Sequence, residues 1–169
     1  AARFADLSTP LLQARAFVLC GLPYAKVASR TVVRRARLGT ATTLTVTFAA
    51  IDPAIPLAYG ADRALFGWLQ TRAFGTGRVD FASLSEFFRD FDLEPSGREY
   101  RRLRERLARL ENLALVITLE EPDATEQLRL FPIRRSVKPV GEASFATGPR
   151  GVVRRGRFGF ELDPHFWTH

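Results

Sequence analysis

Apolar residues recur along this chain with two distinct periods, and the switches between them predict its elements. From Arg98 to Asn112, Tyr100, Leu103, Leu107 and Leu110 repeat three and four apart, which is one face of a helix. A shorter helix is predicted just before it. Leu84, Phe87, Phe88 and Phe91 follow Ser83-Leu-Ser-Glu86, which reads as a capping box, and Asp92-Leu-Glu-Pro95-Ser-Gly97 supplies the turn between the two helices. A third helix is predicted over Ala61 to Phe74, where Leu65, Trp68, Leu69 and Arg72 share a face and Gly75-Thr-Gly77 closes the C-terminal end.

Elsewhere the period is two. Thr31 to Arg37 and Thr42 to Phe48 predict a hairpin through Leu38-Gly39-Thr40-Ala41, and Leu44, Val46 and Phe48 alternate with threonines, so one face is buried. Arg78 to Phe81 can add a short strand. Leu113 to Leu119 predicts the strand that opens a wing, with Gln127 to Val137 pairing back on it antiparallel, and Val152 to Leu162 resumes as a strand after a loop over Lys138 to Arg150. Leu11 to Val18, behind Ser8-Thr-Pro10, predicts a short N-terminal helix that Gly21-Leu-Pro23 stops.

This order predicts an α+β fold: a winged helix-turn-helix with an additional N-terminal helix and β-hairpin. We expect a single domain over residues 1–169, with the N-terminal helix and hairpin in 1–50, the helix-turn-helix in 61–112 and the wing strands in 113–162. The chain contains no methionine, even at its first position, so a native start upstream and a longer parent protein are expected.

Charge gives the predicted helices a use. The chain carries 25 basic against 18 acidic residues, a net +7 that favours an anionic partner without naming it. At roughly 100° per residue, Arg98, Arg102, Arg106 and Arg109 fall within about 80° of arc opposite the apolar stripe, with Glu105 the one acid among them. With Arg101 beside them, they form a helix face that can sit on a phosphate backbone. A second basic cluster is expected on the wing from Arg134, Arg135, Arg154, Arg155 and Arg157, with Lys138 and Arg150 nearby. Arg34, Arg35 and Arg37 on the first hairpin offer either an auxiliary phosphate contact or, more plainly, a strand edge protected by charge.

The groups an enzyme needs are scarce, and we expect none. His165 and His169 have the spacing of two ligands on one helix face but lack a third ligand or a glutamate base, so a docked terminus through Phe166 and Trp167 is the better reading and no metal is expected. No glycine loop with its lysine cradles a phosphate, so no cofactor is expected. Turn and capping duties account for Asp80, Asp90, Asp92 and Glu94. Cys20 stands alone, which rules out a disulfide within the chain and suits a buried thiol in a reducing compartment. No apolar run approaches the roughly 18 residues a membrane helix needs, and no signal-peptide pattern opens the chain, so a cytoplasmic protein without membrane contact is expected.

Three stretches carry a resemblance to the RepA-type plasmid replication initiators. Gly21-Leu-Pro23-Tyr24, Val32-Val-Arg-Arg-Ala-Arg-Leu-Gly39 and Leu44-Thr-Val resemble that family's Leu-Pro segment and arginine-rich hairpin. Leu57-Ala-Tyr-Gly60-Ala-Asp-Arg63 with Trp68-Leu resembles its Pro-Tyr-Gly, Arg and Trp-Leu helix, and Leu84-Ser-Glu-Phe-Phe-Arg with Pro95-Ser-Gly97 and Leu103-Arg-Glu-Arg-Leu resembles its helix-turn-helix. The likeness runs from about Phe17 onward; Ala58 stands where the family has proline, and Glu99-Tyr100 replaces a glycine- or tryptophan-bearing turn. It implies the first winged-helix domain of a two-domain initiator, one that binds repeats in double-stranded plasmid origin DNA, forms a homodimer and meets host replication proteins. Two other readings share the pattern: a dimerisation or partner-binding module that does not read DNA, and a winged-helix transcriptional regulator.

Overall fold

A computed structural model describes residues 20–81, 84–91, 94, 96–137 and 158–164. The expected N-terminal helix, the Ser83 cap, most of the Asp92 to Pro95 turn, the loop from Lys138 and both histidines lie outside these residues. The described elements are strands β1 (Thr31–Leu38) and β2 (Thr42–Ala50), helix α1 (Asp62–Ala73), strand β3 (Arg78–Phe81), helices α2 (Ser85–Asp90) and α3 (Gly97–Glu111), and strands β4 (Leu113–Glu120), β5 (Thr125–Leu130), β6 (Ile133–Val137) and β7 (Phe158–Leu162). They form an α+β fold with two antiparallel sheets, one ordered β1-β2-β4-β5 and the other β3-β7-β6.

The β1–β2 hairpin forms as its alternation predicts. Leu38 pairs with Thr42 across a turn that opens at Gly39, whose φ of +74° is left-handed and costs a glycine little. On β2, Leu44, Val46, Phe48 and Ala50 are buried, and β4 sets Leu113, Leu115, Ile117 and Leu119 beside them in register. Each such side chain removed from water contributes roughly 1.5–3 kcal/mol.

Leu113 to Leu119 forms a strand that the following one pairs back on, as expected, and it also pairs with β2, so β4 lies in the interior of the first sheet with one face buried. One expectation is corrected: Gln127 to Val137 is not one strand. Pro132 has no N–H to give a ladder, so the pairing with β4 ends at Leu130, and Ile133 begins a new strand against Leu162 in the second sheet. The Pro132 carbonyl accepts from the Asp163 N–H at 3.3 Å, which fixes the corner between the sheets.

Aromatic contacts tie the helices to the second sheet. The Trp68 ring of α1 meets Phe81 at 5.7 Å and Phe87 at 5.4 Å edge-on, Phe81 stacks on Phe158 at 5.4 Å, and Phe88 meets Tyr100 of α3 at 4.8 Å. Pairs like these add about 0.5–1.5 kcal/mol each beyond the area they bury. A polar clamp holds α1 to α2 as well: the Arg72 guanidinium spans Glu86 at 3.1 Å and Asp90 at 2.7 Å, and the Trp68 Nε1–H donates to Asp90 at 2.9 Å. Asp90 is thus an interhelix acceptor rather than a turn residue, and Asp80 pairs with Arg78 at 2.7 Å.

The clamp makes an acid-sensitive joint. The Trp68 hydrogen bond, followed by Arg72, holds the Asp90 carboxyl below the usual carboxylate range. A depressed folded value means that this contribution is present above the unfolded value and is lost as pH falls through the folded one. Melting temperatures of the parent and of Asp90→Asn should therefore differ near neutral pH and converge well below about pH 4. A difference that persists unchanged in acid would remove Asp90 from this role.

Candidate nucleic-acid interface

Helix α3 starts where Ser96, in extended conformation, accepts the Glu99 N–H at 3.2 Å through its hydroxyl. Leu103, Leu107 and Leu110 are buried and Tyr100 is half-buried, as their spacing predicts. The C-terminal end is held more firmly than the sequence suggests. Asn112 accepts the Asp52 N–H at 2.6 Å and donates to the carbonyls of Asp52 at 3.1 Å and Ile55 at 3.2 Å, while its own carbonyl accepts from Ile51 at 3.0 Å. Four bonds therefore strap the loop before α1 onto the end of α3.

Under this strap lies a correction to the arginine face. Arg109 does not point to solvent with its neighbours on the helical wheel. Its guanidinium grips Asp62 side-on, Nε to Oδ2 at 2.7 Å and Nη2 to Oδ1 at 2.8 Å, with the Tyr59 ring 4.7 Å from its centre. The two side chains are only 11% and 1% exposed. The hydrogen bond to Asp62 comes first among the causes that raise the Arg109 pKa, so the guanidinium stays charged there. A helical wheel describes one helix alone and carries no information about the start of another helix, 47 residues away in sequence, that docks on its outer side.

What remains exposed is the first half of the helix. Arg98, Arg101 and Arg102 are exposed and Arg106 is half-buried. Among these four, Arg102 has an acid within reach, Glu99 at 2.6 Å one turn back, and an exposed pair of that kind contributes about 0–1 kcal/mol, so Arg102 is easily recruited elsewhere. The face is a cluster of cations on the outer side of a helix that Tyr100 ties to Phe88 near its start and Asn112 straps at its end.

Arg134 and Arg135 sit on β6, which packs beside α3. The register shifts between Ile133 and Arg135, a bulge that lets two consecutive arginines both stay exposed instead of alternating across the sheet. Arg135 lies opposite Glu161, which in turn lies opposite Arg78, so a carboxylate offsets part of its charge. Arg154, Arg155 and Arg157 are outside the described residues. Among the described residues no three His, Cys, Asp or Glu side chains group to hold a metal, and no helix is long and apolar enough to cross a membrane.

No family model matches the chain and no curated protein does. Solved structures do. The crystal structure of RctB domains 2-3 superposes with a TM-score of 0.67 at 10% identity, covering 89% of this chain and 57% of that one. A selenomethionine derivative of domains 2 and 3 of RctB gives 0.60 at 12% identity, covering 86% and 54%. At these identities the likeness establishes a shared fold, and this chain spans little more than half the length of the proteins it matches.

Proposed function

We propose that this chain is a DNA-binding domain of a replication initiator. The observation that carries the reading is the cluster of Arg98, Arg101 and Arg102, all exposed, with Arg106 half-buried beside them, on the outer side of a helix held by Asn112 and Arg109 at its end. RctB, whose domains share the fold, is a replication initiator, which supports the same role here. The succession α1, β3, α2, α3, β6, β7 with sheet order β3-β7-β6 fits a winged helix-turn-helix in which α3 is the recognition helix. On this reading β6 and β7 are the wing strands, and the β4–β5 hairpin is an insertion that completes the first sheet. The resemblance to RepA-type proteins narrows the target to repeats in a plasmid origin and adds a homodimer and host replication proteins as partners.

Counterion release gives the test. Affinity for duplex DNA should fall log-linearly with salt, by about 0.9 in slope per phosphate contacted, so four to six contacts give a slope of roughly −4 to −5. Fluorescence anisotropy between low and moderate salt measures it, and a flat response would remove the arginines from the argument. The second reading, an interaction module, is favoured by the free edge of β1, which has no strand beyond it among the described residues.

A further inference from the structure

The four-stranded sheet has a second face, and its composition is unlike that of the buried one. Opposite the leucine rows, the register lines up Arg35–Thr45–Thr118–Gln127, then Val33–Thr47–Val116–Arg129, with Arg37–Thr43–Glu120–Thr125 at one end and Thr31–Ala49–Ala114 at the other. The central threonines are part-exposed, whereas Arg35, Arg37 and Arg129 are exposed. Cations therefore stand on both edge strands with hydroxyls between them. Glu120 is the one acid in these rows, and it lies at the rim. Arg129 has a neutral neighbour, its Nη2 lying 3.5 Å from the Gln127 Oε1, and Gln127 continues to the Thr118 hydroxyl at 3.5 Å. The charge is thus left available to a partner.

We propose that this outer face is a second contact surface for the phosphate backbone of duplex DNA, separate from α3. The proposal rests on the reading that the chain binds DNA. Three strand spacings separate β1 from β5, about 14 Å, which is close to the roughly 12 Å width of a major groove, so arginines from the two edges can reach phosphates on both of its sides. The threonines between them form a small polar floor in which the Thr45 hydroxyl is itself buried, so the phosphate contacts fall to the arginines. No aromatic side chain projects from these rows, so they offer no platform for unstacked bases, and a duplex fits better than a single strand. A second copy of the same face would set like charges against one another.

The test uses the full chain and a 30-base-pair duplex of mixed sequence, with anisotropy read across a salt series. Arg35→Gln with Arg129→Gln should weaken binding about tenfold or more at low salt and lower the salt slope by about two, with an unchanged melting curve. Arg98→Ala, Arg101→Ala and Arg102→Ala together should leave a weaker, salt-dependent binding that adding the two glutamines abolishes. Because sheet substitutions can unsettle the fold, hydrogen exchange on the parent provides an independent measure: β1 and β5 should gain protection when duplex is added. If the glutamine variant matches the parent in affinity and slope while the helix variant does not bind, this second surface is overturned and the DNA reading stands. A parent that binds no duplex overturns both. Unchanged DNA binding with altered sedimentation would assign the face to a protein partner and likewise overturn the proposal.

Discussion

Replacing Arg109 by alanine is expected to destabilise the fold by about 3–5 kcal/mol, because it strands a fully buried carboxylate. Asp62 is 0% exposed and opens α1, where its Oδ2 also accepts the Tyr59 N–H at 3.0 Å. No other cation is bonded to Asp62 among the described contacts, so no side chain stands ready to replace the lost charge. For a chain of this length the loss corresponds to roughly 6 to 20 °C in melting temperature. Asp62→Ala should cost less, since the long Arg109 stem can carry its guanidinium from 11% exposure toward water once its partner is gone. The double variant should be no worse than Arg109→Ala alone, because the charge left unpaired has also been removed. Thermal melts of the three variants check the cycle, and strictly additive losses would show that the two residues act independently.

The clamp marks the limit of what the chain reveals about itself. Local period was enough to find α3, since Leu103, Leu107 and Leu110 must share a face whatever surrounds the helix. It was enough for β2 as well, where alternation alone separates Leu44, Val46 and Phe48 from the threonines. Period says which face of an element is buried but not which element lies against it. Leu113 to Leu119 reads as a strand on its own merits; that its neighbour is β2, with Phe48 beside Leu115, depends on a pairing more than sixty residues long in sequence. Asn112 presents the same difficulty, because a helix-ending asparagine looks like a cap until the strand-to-helix loop arrives to use its side chain. At the candidate site, Arg98, Arg101 and Arg102 were legible because nothing from a distant element covers them in the described fold, the one ion pair among them being to Glu99 on the same helix, and Arg109 was not because it meets Asp62 of α1.

Loss of the exposed arginines should have the largest effect on binding. Arg98→Ala, Arg101→Ala and Arg102→Ala together remove three exposed cations from the first half of α3, and none lies on the Tyr100, Leu103, Leu107, Leu110 stripe, so the melting curve should barely move. Among the described contacts the Glu99–Arg102 pair is the one lost internally, at a cost of about 1 kcal/mol or less. If all three meet phosphates, the salt slope should drop by about three and affinity should fall alike for every duplex. An arginine that reads a base should instead cost roughly 1–3 kcal/mol, about 5- to 150-fold, and relax discrimination at one position. Single substitutions assayed against origin DNA and scrambled DNA separate the two cases. Leu107→Ala is the control: it empties part of the core at a site 3% exposed and should cost about 2–5 kcal/mol, so any binding it loses should track unfolding and return at lower temperature. Should the triple arginine variant hold origin DNA as tightly as the parent, with the same melting curve, α3 is a solvated face and the interaction-module reading takes its place.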